Sequence, residues 1–456
     1  MARDNMELFS SILKPLLLAI VSFLPSQEAT RTPILLQKWS KIWQSEENID
    51  FNENFFVDST SDENKQEQRK VFINFITSWI AHFPSRAINR FSLTVSNPQT
   101  CGETIERCVA FTIQRGVKEL ILDFPDPKWE DNDFDGKHAL FQLPTHVYQL
   151  GLSLESLKLY SCGFDAQDFL NFGALKDLSL GWIEVKIKTL KKLLSICRTI
   201  ESLNLKKCWN LANFDLGDEP LGLTRLVVNK CDSEYFIFNA PNLKYFKYSG
   251  VVFTSDINVR AIEEVDIDFS QESEFNERGN ELCQILHDFS AANILTVCSY
   301  LLQVVPSGDE PVKMQSALNV KHLTLKTKMH SYELCGFEFM LNSCPLLEKL
   351  ILDISPQLIF EDYTLPYQVD LKKFWQTRRV FPECLKNSLK VVEVIGLRAT
   401  NEELMTCCFL MQGKVLEQIN IKLWNEDDGK EEFRRGSAQL LVKAQKGSKN
   451  LQISID

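Results

Sequence analysis

Residues 154–162 read LESLKLYSC. Leu154, Leu157 and Leu159 fall at an L-x-x-L-x-L spacing, and Cys162 closes the pattern. A strand through its alternating centre puts Leu157 and Leu159 on one face and Lys158 on the other. A single strand of this kind cannot bury its apolar face alone, so it needs copies of itself. They are present. Ile200, Leu203, Leu205 and Cys208 repeat the spacing, as do Leu223, Leu226, Val228 and Cys231. Versions without the closing cysteine occur at Val117-Leu120-Leu122, Leu175-Leu178-Leu180, Leu243-Phe246-Tyr248 and Ile262-Val265-Ile267. Further copies are Val320-Leu323-Leu325, Leu347-Leu350-Leu352, Leu389-Val392-Val394 and Leu416-Ile419-Ile421, with Ala292-Leu295-Val297 filling the widest interval.

Between Leu157 and Val265 the central positions recur about every 20 to 25 residues, the period of a leucine-rich repeat. The expected fold class is therefore α/β: a solenoid of parallel strands and helices, a horseshoe, with each coil covering the next. The template ends in Asn or Cys, turned under the following coil, where a thiol behaves as a small apolar group. Inward thiols without any C-x-x-C pair suit a reducing compartment, nucleus or cytoplasm. Cys407 and Cys408 are read as helix residues.

Helix signals lie between the strand signals. Glu103 to Arg115 sets Ile105, Cys108, Val109 and Thr112 at 3.6-residue spacing, and Gly116 offers a left-handed stop. Thr400-x-x-Glu403 is a capping box opening a helix over Leu404 to Gln412, closed by Gly413. Asn64 to His82 predicts a longer helix with Val71, Phe72, Phe75, Ile76, Trp79 and Ile80 inward, capping the first coil. The polar run Asp58 to Gln68 is the candidate linker. On the concave face or its rim, Glu155, Lys158, Lys176, Ser179, Asn204, Lys206 and Arg225 are candidate contacts.

Apolar residues at 44% and charged residues at 24% describe an ordinary soluble chain with material for a large core. A net charge of −11 and no long basic stripe argue against nucleic acid as the main partner. Lys186, Lys188, Lys191 and Lys192 form the densest basic cluster, read as a solvated helix face. No segment reaches the roughly 18 to 20 apolar residues that cross a membrane. Arg3, Asp4 and Glu7 ahead of Ile12 do not make the positive flank of a secretory signal. Asp131-x-Asp133-x-Asp135-Gly136 opens like a calcium loop, but Gln142 stands where a bidentate Glu belongs, so a solvated acidic loop is expected. The six histidines lack i, i+4 metal spacing, and His322 and His330 are read as surface or turn residues. No nucleotide-binding or nucleophile motif occurs, and neither a cofactor nor a metal is expected.

The N-terminal stretch has a different character. Ile12 to Phe51 reads ILKPLLLAIVSFLPSQEATRTPILLQKWSKIWQSEENIDF. Leu16, Leu17 and Ile20 share helical spacing, Leu24-Pro25 breaks the run, and Trp39 and Trp43 fall on one face at i, i+4. So short a segment cannot bury this much apolar surface by itself, which implies a covering partner. Its residues resemble an F-box of the plant F-box/leucine-rich-repeat/FBD family. The resemblance rests on Leu16-Leu17-Leu18, Ser22-Phe23-Leu24-Pro25, Glu28-Ala29, Arg31-Thr32, Trp39, Trp43 and Asn48-Ile49-Asp50-Phe51. It extends through Ile105 to Leu120, Asn342 to Leu350, and Ser388 to Glu417, the last like an FBD region. Departures are Lys14-Pro15 at the opening, Leu36-Gln37-Lys38 before the first tryptophan, and Pro33.

The resemblance implies a three-helix F-box over 10–51, a linker and capping helix over 52–100, repeats over 101–360 and an FBD-like region over 361–456. It further implies a non-catalytic substrate receptor of an SCF-type ubiquitin ligase, docked on a Skp adaptor and through it on a cullin and a RING subunit. Leu16, Leu17, Ile20, Leu24, Pro25, Leu35, Trp39 and Trp43 are the residues expected to make or support the adaptor contact. The solenoid is expected to hold an unidentified protein target. Two other readings stay open: a ligase-independent repeat protein with a degenerate F-box, and a receptor of the same architecture gated by a small molecule.

Overall fold

The computed structural model describes residues 47–57, 62–83, 86–125, 140–143, 153–164, 172–231, 233–274, 278–305, 313–360, 373–377, 381–426 and 429–456. The chain divides into two compact units, Met1–Ile200 with Lys207–Trp209, and Glu201–Lys206 with Asn210–Asp456.

In the first unit the strands are β1 (Asn48–Asn52), β2 (Arg90–Thr94), β3 (Glu119–Asp123), β4 (Phe141–Gln142), β5 (Ser156–Tyr160), β6 (Cys162–Gly163) and β7 (Asp177–Gly181). The helices are α1 (Asp62–His82), α2 (Gly102–Gln114) and α3 (Ile187–Ile196). Strands β1, β2, β3, β5 and β7 pair in that order, all parallel. The register sets Phe51, Leu93, Leu122, Leu159 and Leu180 in one row, each buried. Every connection between parallel neighbours is a crossover, which puts helices on the apolar face. Asn48–Phe51, quoted above within the F-box signature, thus form the first strand of this sheet.

Helix α1 buries Phe72 and Ile76, with the Phe56 ring tilted against Phe72 at 4.6 Å and Phe51 of β1 edge-on to Trp79 at 5.2 Å. Val71, expected inward, is 48% exposed. It lies about 100° around the helix from Phe72, off the line Phe72-Ile76-Trp79-Phe83 that meets the sheet. The linker expected over Asp58 to Gln68 also needs correcting, because α1 already begins at Asp62. Glu, Gln and Lys are polar but strong helix formers, so polarity alone misleads there. Arg69 on the inner side pairs with the buried Glu53 at 2.8 Å, and Glu53 accepts the Ser96 N–H at 2.7 Å. Helix α2 follows expectation: Ile105, Cys108, Val109 and Thr112 are buried, joined by Phe111, and Gly116 has φ +61°.

The second unit carries β8 (Ser202–Lys206), β9 (Asn213–Pro220), β10 (Arg225–Asn229), β11 (Tyr235–Asn239), β12 (Tyr245–Ser249), β13 (Thr254–Asn258), β14 (Glu264–Asp268) and β15 (Ile294–Val297). Then come β16 (His322–Thr327), β17 (Lys349–Ile354), β18 (Val391–Leu397), β19 (Gln418–Leu423) and β20 (Gln452–Ile455). Its helices are α4 (Gly279–Asp288), α5 (Ser299–Val304), α6 (Leu334–Ser343), α7 (Phe374–Thr377), α8 (Glu383–Asn387), α9 (Asn401–Leu410) and α10 (Glu431–Lys443). Strands β8, β10, β12 and β14 to β20 pair in sequence, all parallel. Leu203, Leu226, Phe246, Val265, Leu295, Leu323, Leu350, Val392 and Ile419 share one buried row, which Ile453 continues on β20. The FBD-like residues therefore extend the repeat sheet.

Helices do not back this whole sheet. Strands β9, β11 and β13 form a second parallel layer behind it. The intervals 207–224, 230–244 and 250–263 are short, and an extended segment covers about 3.3 Å per residue against 1.5 Å for a helix. Residues 235–239, YFIFN, alternate, so Phe236 and Phe238 turn inward while Tyr235 stays outside. Phe236 lies 5.0 Å from Phe214, 4.6 Å from Phe253 and 5.4 Å from Tyr248, ring centre to ring centre.

Two strand exits share one device. Glu403 accepts N–H bonds from Arg398 at 2.8 Å and Thr400 at 3.2 Å, completing the expected capping box of α9. Glu333 accepts them from His330 at 2.7 Å and Lys328 at 3.3 Å. In each turn a residue is left-handed, Ala399 with φ 64° and Met329 with φ 55°. Burial raises both carboxyl pKa values above the usual 4.5, against the downward pull of these hydrogen bonds. A folded-state pKa above the unfolded one stabilises fully below the unfolded value and loses that contribution as pH rises through the folded value. Glu333→Gln, Glu403→Gln should therefore gain stability relative to the parent as pH rises from 4.5. Urea midpoints across pH measure it; a pH-independent difference would contradict the burial.

Candidate protein-binding surface

Strand alternation that buries one row of leucines presents the intervening residues on the opposite face of each sheet. In the first unit the central row opposite the leucines runs Asp50, Ser92, Ile121, Lys158 and Ser179, with Asp50 exposed, Ile121 and Lys158 half-buried, and Ser92 and Ser179 buried. Lys158 meets Glu119 at 2.7 Å, Arg90 approaches the same carboxylate at 3.6 Å, and Ser156 donates to Asp177 at 3.2 Å. Glu155 pairs on the rim with Lys176 at 3.1 Å and Lys118 at 3.7 Å. Lys176 first, by hydrogen bond and charge, then Lys118 hold its carboxyl below the usual range. Ser179 is buried and so is a poorer contact than the sequence suggests. Lys186, Lys188, Lys191 and Lys192 are exposed at α3, as expected of a solvated helix face.

In the second unit the corresponding row runs Asn204, Val227, Lys247, Asp266, Thr296, Thr324, Ile351, Glu393, Asn420 and Ser454, with Val227 buried, Ser454 exposed and the others half-buried. Lys206 is exposed and Asn204 half-buried. Arg225 stacks its guanidinium 3.9 Å from the centre of the Tyr245 ring. Asp266 is the hub. It meets Lys247 at 2.7 Å on one side and Lys326 at 3.2 Å on the other, and Lys326 also reaches Asp268 at 3.6 Å. Lys326 spans β15 to do so, over the small Thr296 that shares the Asp266 register. Desolvation alone would lower the Lys326 pKa, but Asp266 and Asp268 outweigh it and the ammonium is held charged. Farther along, Lys349 pairs with Glu393 at 3.0 Å.

Sequence reading finds Arg225 but not Tyr245, Asp266 or Lys326. All occupy outward-facing strand positions, Arg225 exposed and the others half-buried, which was the available signal, yet a pairing across a skipped strand follows only from register. Asp266→Ala should destabilise the unit by about 1 kcal/mol, as a partly exposed network does. Chemical denaturation against Thr296→Ala as control measures it; equal midpoints would contradict the network.

The chemistry of this face suits recognition by charge and shape. Lys, Asp and Glu already paired with one another can exchange partners with an incoming polypeptide at little cost in desolvation. Among the described residues no three His, Cys, Asp or Glu side chains converge as metal ligands. His322 is exposed, and His330 accepts the Tyr332 N–H at 3.3 Å as a helix cap. The thirteen cysteines are free. Burial pushes the Cys298 thiol to about 11 and Cys407 to about 12, so both act as apolar filling. No described helix is long and apolar enough to cross a membrane. Leu16, Leu17, Ile20, Leu24, Pro25, Leu35, Trp39 and Trp43 lie outside the described residues, as does the Asp131–Gly136 run.

A family model described as the LRR domain of At1g61320/AtMIF1 matches residues 85–454, which span the parallel sheets from β2 to β20. An Arabidopsis thaliana protein carrying the name F-box/LRR-repeat protein At5g54820 is 30% identical, over 97% of this chain and 96% of its own length. F-box protein At3g29830 of the same plant is 32% identical over 91% of each chain. F-box/FBD/LRR-repeat protein At5g22660, also from Arabidopsis thaliana, is 24% identical over 92% of this chain and 90% of its own. With a repeat domain matched over most of its length and relatives similar from end to end, the chain belongs to the plant F-box/FBD/leucine-rich-repeat family.

Proposed function

We propose that the protein is the substrate-recognition subunit of an SCF-type ubiquitin ligase. Residues ahead of β1 dock on a Skp adaptor, which links them to a cullin and a RING subunit. The exposed strand faces hold a protein target for ubiquitination. The observation that carries this reading is one continuous similarity, over 97% of this chain, to a relative named for both an F-box and leucine-rich repeats. In this role the chain makes and breaks no bonds. It raises the effective concentration of the target beside the ubiquitin-conjugating enzyme and fixes its orientation. Thirteen free thiols suit a nuclear or cytoplasmic site of action.

A pull-down of the purified full chain by a Skp adaptor tests the proposal. Retention on the adaptor is expected. A well-folded chain that is not retained would favour the second reading, a repeat protein acting without a ligase. That reading is motivated by the altered opening at Lys14-Pro15 and by Pro33, which would cost about 3 kcal/mol in a helix interior and almost nothing at a helix start.

A further inference from the structure

On the outward strand face of the second unit, two ion-pair systems leave an uncharged lane between them. One bank is Lys326, which reaches from β16 to Asp266 on β14 at 3.2 Å. The other is Lys349 on β17, which reaches Glu393 on β18 at 3.0 Å. By register both pairs slant the same way across the strands. The lane between them runs over Thr296, Thr324 and Ile351, aligned neighbours on β15, β16 and β17, with Ile294 beside Thr296; all four are half-buried. A carboxylate stands at each end. Glu264 on β14 is the register partner of Ile294, and Asp353 on β17 lies between Lys326 and Ile395. Both are half-buried, and neither has an ion pair or hydrogen bond among the described residues. Lys326 is engaged by Asp266 and Asp268, and Arg225 is stacked on the Tyr245 ring that separates it from Glu264. Residues 306–312 and 361–372 lie outside the described residues, and the chain beside them packs with helices. Met314 donates to the Ser343 Oγ of α6 at 2.9 Å, Phe360 meets Tyr300 of α5 at 5.6 Å, and Trp375 of α7 stacks 4.1 Å from Phe409 of α9.

Register gives the lane a length. Glu264 and Asp353 are three strands and four residues apart, which is about 20 Å at roughly 4.8 Å per strand and 3.3 Å per residue. An extended chain spans that distance in about six residues, and its period of two turns positions i, i+2, i+4 and i+6 to one side. A carboxylate already partly withdrawn from water gives up less hydration on meeting an ammonium than a fully exposed one. The ends of the lane therefore favour cations, while the threonine and isoleucine floor accepts apolar side chains. We propose that this lane holds an extended segment of the target protein, with a lysine or arginine at each end and apolar side chains at the two inward positions between them. The proposal rests on the reading of the strand face as the target-binding surface, and it names the chemistry of the segment bound there.

Fluorescein-labelled heptapeptides are the probe: Lys-Thr-x-Thr-x-Thr-Lys with leucine, valine or phenylalanine at x, beside counterparts with glutamate at both ends. Anisotropy is read on the purified full chain at low salt, without an adaptor. Saturable binding of a lysine-ended peptide, weakened by salt and absent from its glutamate-ended counterpart, is expected. Glu264→Gln and Asp353→Asn should each weaken it roughly fivefold, the scale of one partly exposed ion pair. Neither carboxylate is bonded within the fold, so both variants should keep the parental urea midpoint. Thr324→Arg, which fills the lane from its floor, should abolish binding. No saturable binding by the folded parent overturns the proposal. So does equal affinity for the glutamate-ended peptides, or parental affinity in a Glu264→Gln, Asp353→Asn double variant. The adaptor takes no part in this assay, so loss of peptide binding and loss of adaptor docking are read separately.

Discussion

Gly336→Val is expected to destabilise the second unit by about 3 kcal/mol or more, at the upper end of overpacking effects. Gly336 lies inside α6, where glycine is otherwise a poor choice by about 1 kcal/mol relative to alanine. The residue is there because α5 crosses at backbone contact. A Cβ built on it would stand 2.5 Å from the Leu302 Cα and closer still to the Leu302 carbonyl oxygen. Backbone atoms cannot rotate aside as a side chain can, so the helices must separate and give up the packing of Phe337, Leu301 and Leu302. Gly336→Ala should also lose stability, against its helix propensity. Urea denaturation followed by circular dichroism reads both. An alanine variant with a parental or higher midpoint would rule out the close crossing.

The second large effect is expected at Phe236→Ala, a loss of about 3 to 5 kcal/mol. The ring is fully buried and touches aromatics from three directions: Phe214 on β9, Phe253 just before β13, and Tyr248 on β12. Removing it empties the layer between the two sheets of the second unit. Tyr235→Ala, one residue earlier on the exposed side, should stay within about 0.5 kcal/mol of the parent. Equal losses at both positions would contradict the alternation of β11.

The repeat cadence was legible because its period survives substitution. Leu243-Phe246-Tyr248 and Ala292-Leu295-Val297 fit as well as the leucine-rich copies, and both are strands. Ile88, Phe91 and Leu93 carry the same cadence in β2, yet a phenylalanine at the centre and a polar run before it hide them. Residues of β1 are hidden otherwise, by their place at the end of the F-box signature. The β9-β11-β13 layer needed a different question, namely how far a short interval must reach. Its alternating YFIF was the available sign. Gly336 gives no sign at all, since the Leu302 backbone it meets is brought there only by tertiary packing. Asp266 and Lys326 are likewise joined by register across β15 and not by proximity in sequence. The capping box of α9 could be read directly because all its partners lie within six residues. Adaptor residues rest on family resemblance, which implies a Skp adaptor where spacing alone indicates only apolar surface in need of cover.

Adaptor affinity is the property to measure. A Trp39→Ala, Trp43→Ala variant and its parent would be titrated with a Skp adaptor, the fold of both checked by circular dichroism and urea midpoint. An indole that the adaptor covers contributes on the order of 2 to 3 kcal/mol, so on the F-box reading the folded variant should bind at least a hundredfold more weakly than the parent. A folded variant that binds the adaptor as tightly as the parent would contradict the F-box reading of this segment.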